Sequence, residues 1–290
     1  MAVSTTTASE LTREQVEAIL VKPLEQASVF LAAGPRIFDT DGSPVRIPKL
    51  GAATNPAWHG ENELITEQDV AFDEITLLPS GMKSVKSLTR FSNELARQSV
   101  VSLDAAIRDR LVTDVAAKLD SAFIAGTGDA GTTPTGIINY AGVQRVDAVG
   151  TLGLDAVLDA WGKLLAANAN PASAKWLMRP ETFVALRKIK QATGSNQYVL
   201  TPDPTQDGVF RLFGSPVIVT NRIPDDEVAG TSAVLADFSQ IAVARDQAPT
   251  VKILDQTFGD YDQQAIRVTA RYDAAPMNAE AVVVLSGITG

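Results

Sequence analysis

Apolar residues recur every four positions at Leu103, Ile107, Leu111, Val115, Leu119 and Phe123. On an α-helix each such step falls about 40° past a full turn. The stripe therefore winds, as a long helix that meets different partners along its length requires. Ser92 or Ser102 can cap its start. Asp104 with Arg108 and Asp114 with Lys118 stand in the favourable i,i+4 order, and Gly126 ends the element. A second amphipathic helix is predicted over 154–168, with Leu154, Val157, Leu158, Trp161, Leu164 and Leu165 on one face. A third opens at Pro180, an early helical position that proline favours, and runs over 181–191. Its closing cluster of Arg187, Lys188 and Lys190 complements the helix dipole. An earlier helical stretch over 9–33 has only a patchy stripe and is interrupted by Pro23, so it reads as an arm rather than a core element.

Strand patterns frame these helices. Val45-Arg46-Ile47-Pro48 alternates after a turn cluster at 39–44, and strand character returns at 70–77, where a step from even to odd apolar positions suggests a bulge. Between them, 51–69 has neither period. Residues 45–88 thus read as a two-stranded ribbon with a loose tip, too poor in apolar surface to be stable alone. Short strands are predicted at 175–178, 217–220 and 241–243, with a loop over 193–209. Ile266, Val268, Ala270 and Tyr272 alternate with polar residues as a half-buried strand does, and 281–285 is its expected partner. No internal repeat is present. The order of ribbon, long helix, mixed region and terminal strands gives an α+β class rather than alternating βαβ units.

Composition narrows the function. The chain has 290 residues, 45% hydrophobic and 20% charged, ordinary for a globular protein. No apolar run approaches the ~20 residues of a membrane-spanning helix, and the Thr/Ser-rich start lacks the basic and apolar regions of a secretory signal. No membrane partner is expected. The absence of cysteine excludes disulfides, thiolate metal sites and cysteine nucleophiles. A net charge of -9 argues against a broad basic face for nucleic acid.

Candidate chemistry is thin. Gly126-Thr127-Gly128-Asp129-Ala130-Gly131 matches G-x-G-x-x-G, but a helix precedes it and Thr132-Thr133-Pro134 follows. The dinucleotide fingerprint needs a strand before and a helix after, so this is a turn built on permissive glycines. His59 is the sole histidine and sits in the loose tip, which leaves no orienting environment for a catalytic base and no zinc set. No catalytic residue, cofactor site or metal site is assigned. Glu61, Glu63, Glu67, Asp69, Asp73 and Glu74 form an acidic run without Lys or Arg between Asn55 and Glu74. It reads either as a solvated arm or as a surface that meets a basic patch on a neighbouring subunit. On the second reading Trp58, Glu61, Glu63, Glu67 and Asp69 are the candidate intersubunit contacts.

Five pieces in order carry a resemblance: the long helix ending Leu119-Asp120-Ser121-Ala122-Phe123-Ile124-Ala125-Gly126, then Pro134-Thr135-Gly136-Ile137; Trp176-Leu177-Met178-Arg179-Pro180-Glu181-Thr182-Phe183; Leu212-Phe213-Gly214-Ser215-Pro216-Val217 with Asn221-Arg222-Ile223-Pro224; Ala236-Asp237-Phe238-Ser239; and the terminal strands. Together they cover residues 45–286. The set resembles the major capsid proteins of tailed phages, whose fold is shared with encapsulin compartments.

The resemblance implies an N-terminal arm at 1–43 and an extended hairpin loop at 44–88 that reaches over an adjacent subunit. It implies a peripheral domain at 89–148 and 246–290 built on a spine helix, and an axial domain at 149–245. The implied function is a virion subunit, assembled in the host bacterial cytoplasm into pentamers and hexamers of an icosahedral shell around double-stranded DNA. Scaffold, portal and decoration proteins are the implied partners. Some relatives join a loop lysine to a neighbour's asparagine; here no lysine lies between Lys49 and Lys83, so no such crosslink is expected from the loop tip. Two alternatives stay open: an encapsulin-like compartment, and a soluble α+β hydrolase with an acidic site.

Overall fold

A computed structural model describes residues 28–50, 58–62, 72–78, 83–93, 103–192, 196–200, 210–226, 230–254, 257 and 259–289. In chain order its elements are α1 (Val29–Ala32), β1 (Arg36–Asp39), β2 (Val45–Leu50), β3 (Phe72–Leu77), β4 (Ser84–Ser92) and α2 (Leu103–Ala125). They continue with β5 (Gln144–Val146), α3 (Leu154–Ala166), β6 (Ala174–Met178), α4 (Pro180–Arg187), β7 (Arg211–Leu212), β8 (Ser215–Val219) and β9 (Asp225–Asp226). Four strands follow, the middle two of them long: β10 (Gly230–Asp237), β11 (Ile241–Leu254), β12 (Gln263–Pro276) and β13 (Val282–Ile288).

Three sheets form. One runs β1-β11-β12-β4, one β5-β13-β10-β6-β8-β7 with β9 on β10, and β2 pairs only with β3. The α+β class holds, with strands dominating. The middle sheet is covered on both faces. Val234, Ala236, Val282, Val284 and Leu177 pack toward α2 and Phe30. Their neighbours Ala233, Leu235, Val283, Leu285, Trp176 and Met178 pack toward α3 and α4. A strand buried on both faces needs a continuous apolar run, which is what Val282–Leu285 supplies. This corrects the expected terminal strand pair: β13 pairs with β10 and β5, while half-buried β12 pairs with β11 and β4.

Other expectations shift as well. The stripe on α2 is buried at Leu111, Val115, Leu119 and Phe123, and Ala116, Asp120 and Ile124 join it. Asp114 pairs with Arg110 at 3.1 Å, not with Lys118. On α3, Val157, Ala160 and Leu164 are buried but Leu158 and Leu165 are half exposed, so the packed face is narrower than the apolar one. The helix from Pro180 stops at Arg187. The register of β2 on β3 is unbroken from Val45↔Leu77 to Leu50↔Phe72, so no bulge interrupts β3. Residues 84–88, read as the end of the ribbon, instead belong to β4, an edge strand of the first sheet.

The segment expected as an arm is part of the body where it is described. Phe30 is fully buried, its ring 5.2 Å from Phe123 and 5.6 Å from Phe238, and β1 lies parallel to β11. Residues 9–27 of that predicted helix lie outside the described residues.

The turn after α2 explains the glycine pattern. Gly136 N donates to Gly126 O, Ile137 N to Phe123 O and Ile138 N to Ile124 O at 2.8–3.0 Å. Asn139 Nδ2 adds a bond to Ala125 O at 3.1 Å. Of the carbonyls that a helix end leaves without partners, those of Phe123, Ile124 and Ala125 are met by the 136–139 segment and that of Ala122 by Gly126 N. So close a return leaves no room for a Cβ at Gly136, which would stand 2.5 Å from Ala125 N. The G-x-G-x-x-G run is a turn, with Gly128 and Gly131 at positive φ.

Candidate assembly surface

Among the described residues the ribbon β2–β3 is the one sheet with two strands. Its root is packed: Leu77 and Leu78 are buried with Ala242, Ala244 and Ala275, and Val45, Ile47 and Ile75 press against them. Its far half is exposed, and the Arg46–Glu74 contact at 3.8 Å is between exposed side chains, a kind of pair that contributes little.

A buried ion pair fixes the root. Asp273 on β12 receives Lys83 Nζ at 2.8 and 2.9 Å, Leu78 N at 3.0 Å and Ala274 N at 3.0 Å. The Asp273 side chain is 3% exposed and that of Lys83 13%. Leu78 has φ 54, a strained value for a branched side chain, and its N–H bond to Asp273 holds it there. The first lysine after the loop tip is therefore engaged in the ribbon's own anchor.

At the ribbon's distal end, Trp58, His59, Gly60 and Glu61 are all exposed, Trp58 completely so. Asp73 and Glu74 are exposed on β3. Of the other expected contacts, Glu63, Glu67 and Asp69 lie outside the described residues.

A second anchor holds the N-terminal segment. Asp120 on α2 accepts from Ser28 Oγ at 2.5 Å, Val29 N at 3.0 Å and Phe30 N at 3.1 Å, while Ser28 Oγ accepts from Leu31 N as N-cap of α1. Burial raises the Asp120 carboxyl above its ordinary value, opposed by these hydrogen bonds and by the charge of Arg222. Sequence reading missed Asp120 and Asp273. The available signal at Asp120 was a carboxylate standing on an otherwise apolar helix face; Asp273 falls among the polar positions of its strand and gave no such signal.

A groove of about 420 Å³ lies between β4 and α2, ending at Thr132–Pro134. Elsewhere Leu158, Leu165, Val184, Phe210 and Phe213 are partly exposed, with the ring of Phe210 tilted against that of Phe183 at 4.8 Å between centroids. Among the described residues no group of three or more His, Cys, Asp or Glu could hold a metal ion, and no helix is long and apolar enough to cross a membrane. His59 stands in the exposed tip.

A long helix packed on one sheet, a second sheet covered on both faces and a two-stranded ribbon anchored at its root make up a fold of the phage-capsid type. The chain belongs to the phage capsid family, whose model matches residues 10–287. It is 31% identical over 205 residues to the capsid polyprotein of Pseudomonas phage PAJU2, covering 68% of this chain and 29% of that protein. It is 22% identical over 258 residues to the major capsid protein of Halomonas phage phiHAP-1, covering 89% and 40%. The chain thus spans well under half the length of these relatives. Among solved structures, the capsid of a native GTA particle matches with TM-score 0.76 at 19% identity, covering 90% of each chain. A Mycobacterium phage Adephagia chain matches with TM-score 0.72 at 18% identity, covering 98% of each.

Proposed function

We propose that this chain is the shell subunit of a tailed phage. Copies self-associate into pentamers and hexamers, and these close into an icosahedral shell around double-stranded DNA. The carrying observation is the ribbon: its root is locked by Asp273 and Lys83, yet its end presents a fully exposed Trp58 beside an acidic run. A two-stranded ribbon has little stability of its own, and a neighbouring subunit supplies the surface it lacks. Each contact can be weak, because a closed shell multiplies contacts through effective concentration. A net charge of -9 suits a wall that encloses DNA without gripping its sequence. The subunit performs no chemistry of its own.

On this reading the loop expected at 44–88, without the β4 residues 84–88 that lie in the first sheet, overlaps a neighbour; the region around α2 and β12 is peripheral, and the sheet carrying α3 and α4 is axial, with β5 and β13 counted in it rather than in the peripheral region expected at 89–148 and 246–290. The protein resides in the virion, is assembled in the host bacterial cytoplasm, and meets scaffold, portal and decoration proteins there. Negative-stain electron microscopy with size-exclusion chromatography tests the proposal. Closed shells or rings of five and six are expected. A monomer that persists across salt and concentration, with co-expressed scaffold present, overturns it.

A further inference from the structure

An indole gains much from burial, and its N–H seeks an acceptor once buried; Trp58 has neither. The groove between β4 and α2 offers both. Val115, Leu119 and Ala122 floor it, and its volume of about 420 Å³ suits a small ligand or one large side chain. Thr133 Oγ1 in its wall is buried and has no hydrogen-bond partner among the described residues, a state that calls for an explanation in a native fold. Lys86 and Lys118 line it and are exposed; Asp114, also at the rim, is engaged by Arg110. In an acidic chain this is a local positive rim, opposite in sign to Glu61 and the acidic run beside Trp58.

We propose that this groove receives Trp58 of a second copy, with the indole N–H donating to Thr133 Oγ1 and Glu61 lying over Lys86 and Lys118. The inference rests on the shell-subunit reading and names the surface on which its ribbon lies. The pairing is between copies. The groove sits near the ribbon's root, beside Lys83 and Ser84. In its own chain Trp58 remains in solvent.

The chain has no cysteine, so Glu61→Cys with Lys86→Cys in the full chain gives a clean test. Both positions are exposed and folding is expected to be unaffected. Oxidation of assembled shells should give a ladder of covalent oligomers on a non-reducing gel. Neither single variant should ladder, and their mixture should give dimers. The emission that Trp58→Phe removes should shift to the blue on assembly, and Thr133→Val should reduce shell yield several-fold. Shells that form without a ladder and without a Trp58 shift overturn the docking and leave the shell-subunit reading intact. A ladder from Lys86→Cys with Ser9→Cys, and none with Glu61→Cys, gives the groove to the N-terminal segment and also overturns it. A wild-type chain that never assembles overturns both.

Discussion

Ser28 and Asp120, 92 positions apart, meet at 2.5 Å and tie the described start of the chain to the C-terminal part of the longest described helix. Asp120 also accepts the N–H groups of Val29 and Phe30. It thereby serves the first turn of a helix too short to stand alone. Asp120→Ala would strand three donors in the core. A loss of about 3 kcal/mol or more is expected, against about 1 kcal/mol for Ser28→Ala, which removes one cap. Urea unfolding of the unassembled subunit checks both.

The same carboxylate makes a pH prediction. Burial raises Asp120 above its ordinary 3.8, so the native state holds that proton more tightly than the unfolded chain. Its contribution is full below 3.8 and is lost as pH rises through the folded value. Asp120→Asn cannot titrate. The stability of wild type minus that of Asp120→Asn should fall as pH rises through the weakly acidic range. A difference that is flat or rises with pH would contradict the assignment. The hydrogen bonds from Ser28, Phe30 and Val29, and after them the charge of Arg222, limit the effect.

Lys83→Met leaves Asp273 buried with only its two backbone donors, Leu78 N and Ala274 N. Removing one partner of a buried pair costs about 3–5 kcal/mol. Because Leu78 depends on Asp273 to hold its positive φ, the loss should concentrate at the ribbon's root. Limited proteolysis should cut the variant near residues 77–84 faster than wild type, and hydrogen exchange at Leu78 should lose protection.

How far these features could be read in advance depends on the range of the forces behind them. The long helix, its end at Gly126 and the ribbon's existence follow from local spacing and turn residues, and the structure has them. The order of five motifs was enough to indicate the family. Strand pairing was less visible. Val282–Leu285 and Ile266–Tyr272 look like neighbours along the chain, but a strand apolar on both faces belongs inside a sheet, beside β10 and β5. The burial of Phe30 was hidden because its partners, Phe123 and Phe238, are far away in sequence. The anchors at Asp120 and Asp273 were hidden for the same reason. Trp58 and Glu61 stand in the exposed tip as their setting implied.

Gly136 and Gly131 should respond differently to alanine. At Gly136 a Cβ would press on the backbone of Ala125, Gly126 and Ile124 at 2.5–2.6 Å. The clash is with backbone inside the capped helix end, so Gly136→Ala should open those hydrogen bonds and cost more than about 3 kcal/mol. At Gly131 nothing lies within 4 Å, and only its φ of +76 resists; about 1–2 kcal/mol is expected. Thermal unfolding of the two variants gives the comparison. Equal losses would mean that the 136–139 segment does not cap α2.

Phe213 and Gly214 form the two-residue turn between β7 and β8, where Leu212 pairs with Ser215. Both have positive φ, 48 and 85. Such turns favour Asn-Gly, and a left-handed conformation costs an ordinary residue about 1–2 kcal/mol. Phe213 is also 47% exposed, so its ring returns little of that cost within its own subunit. Phe213→Asn should therefore raise the melting temperature of the unassembled protein by roughly 2–4 °C. If the ring is retained for contact between copies in the proposed axial region, the same change should reduce shell yield. Greater subunit stability with poorer assembly is a combination that a purely internal packing role does not produce. A lower melting temperature would place the ring's contribution inside the subunit, and unchanged assembly would remove Phe213 from the interface.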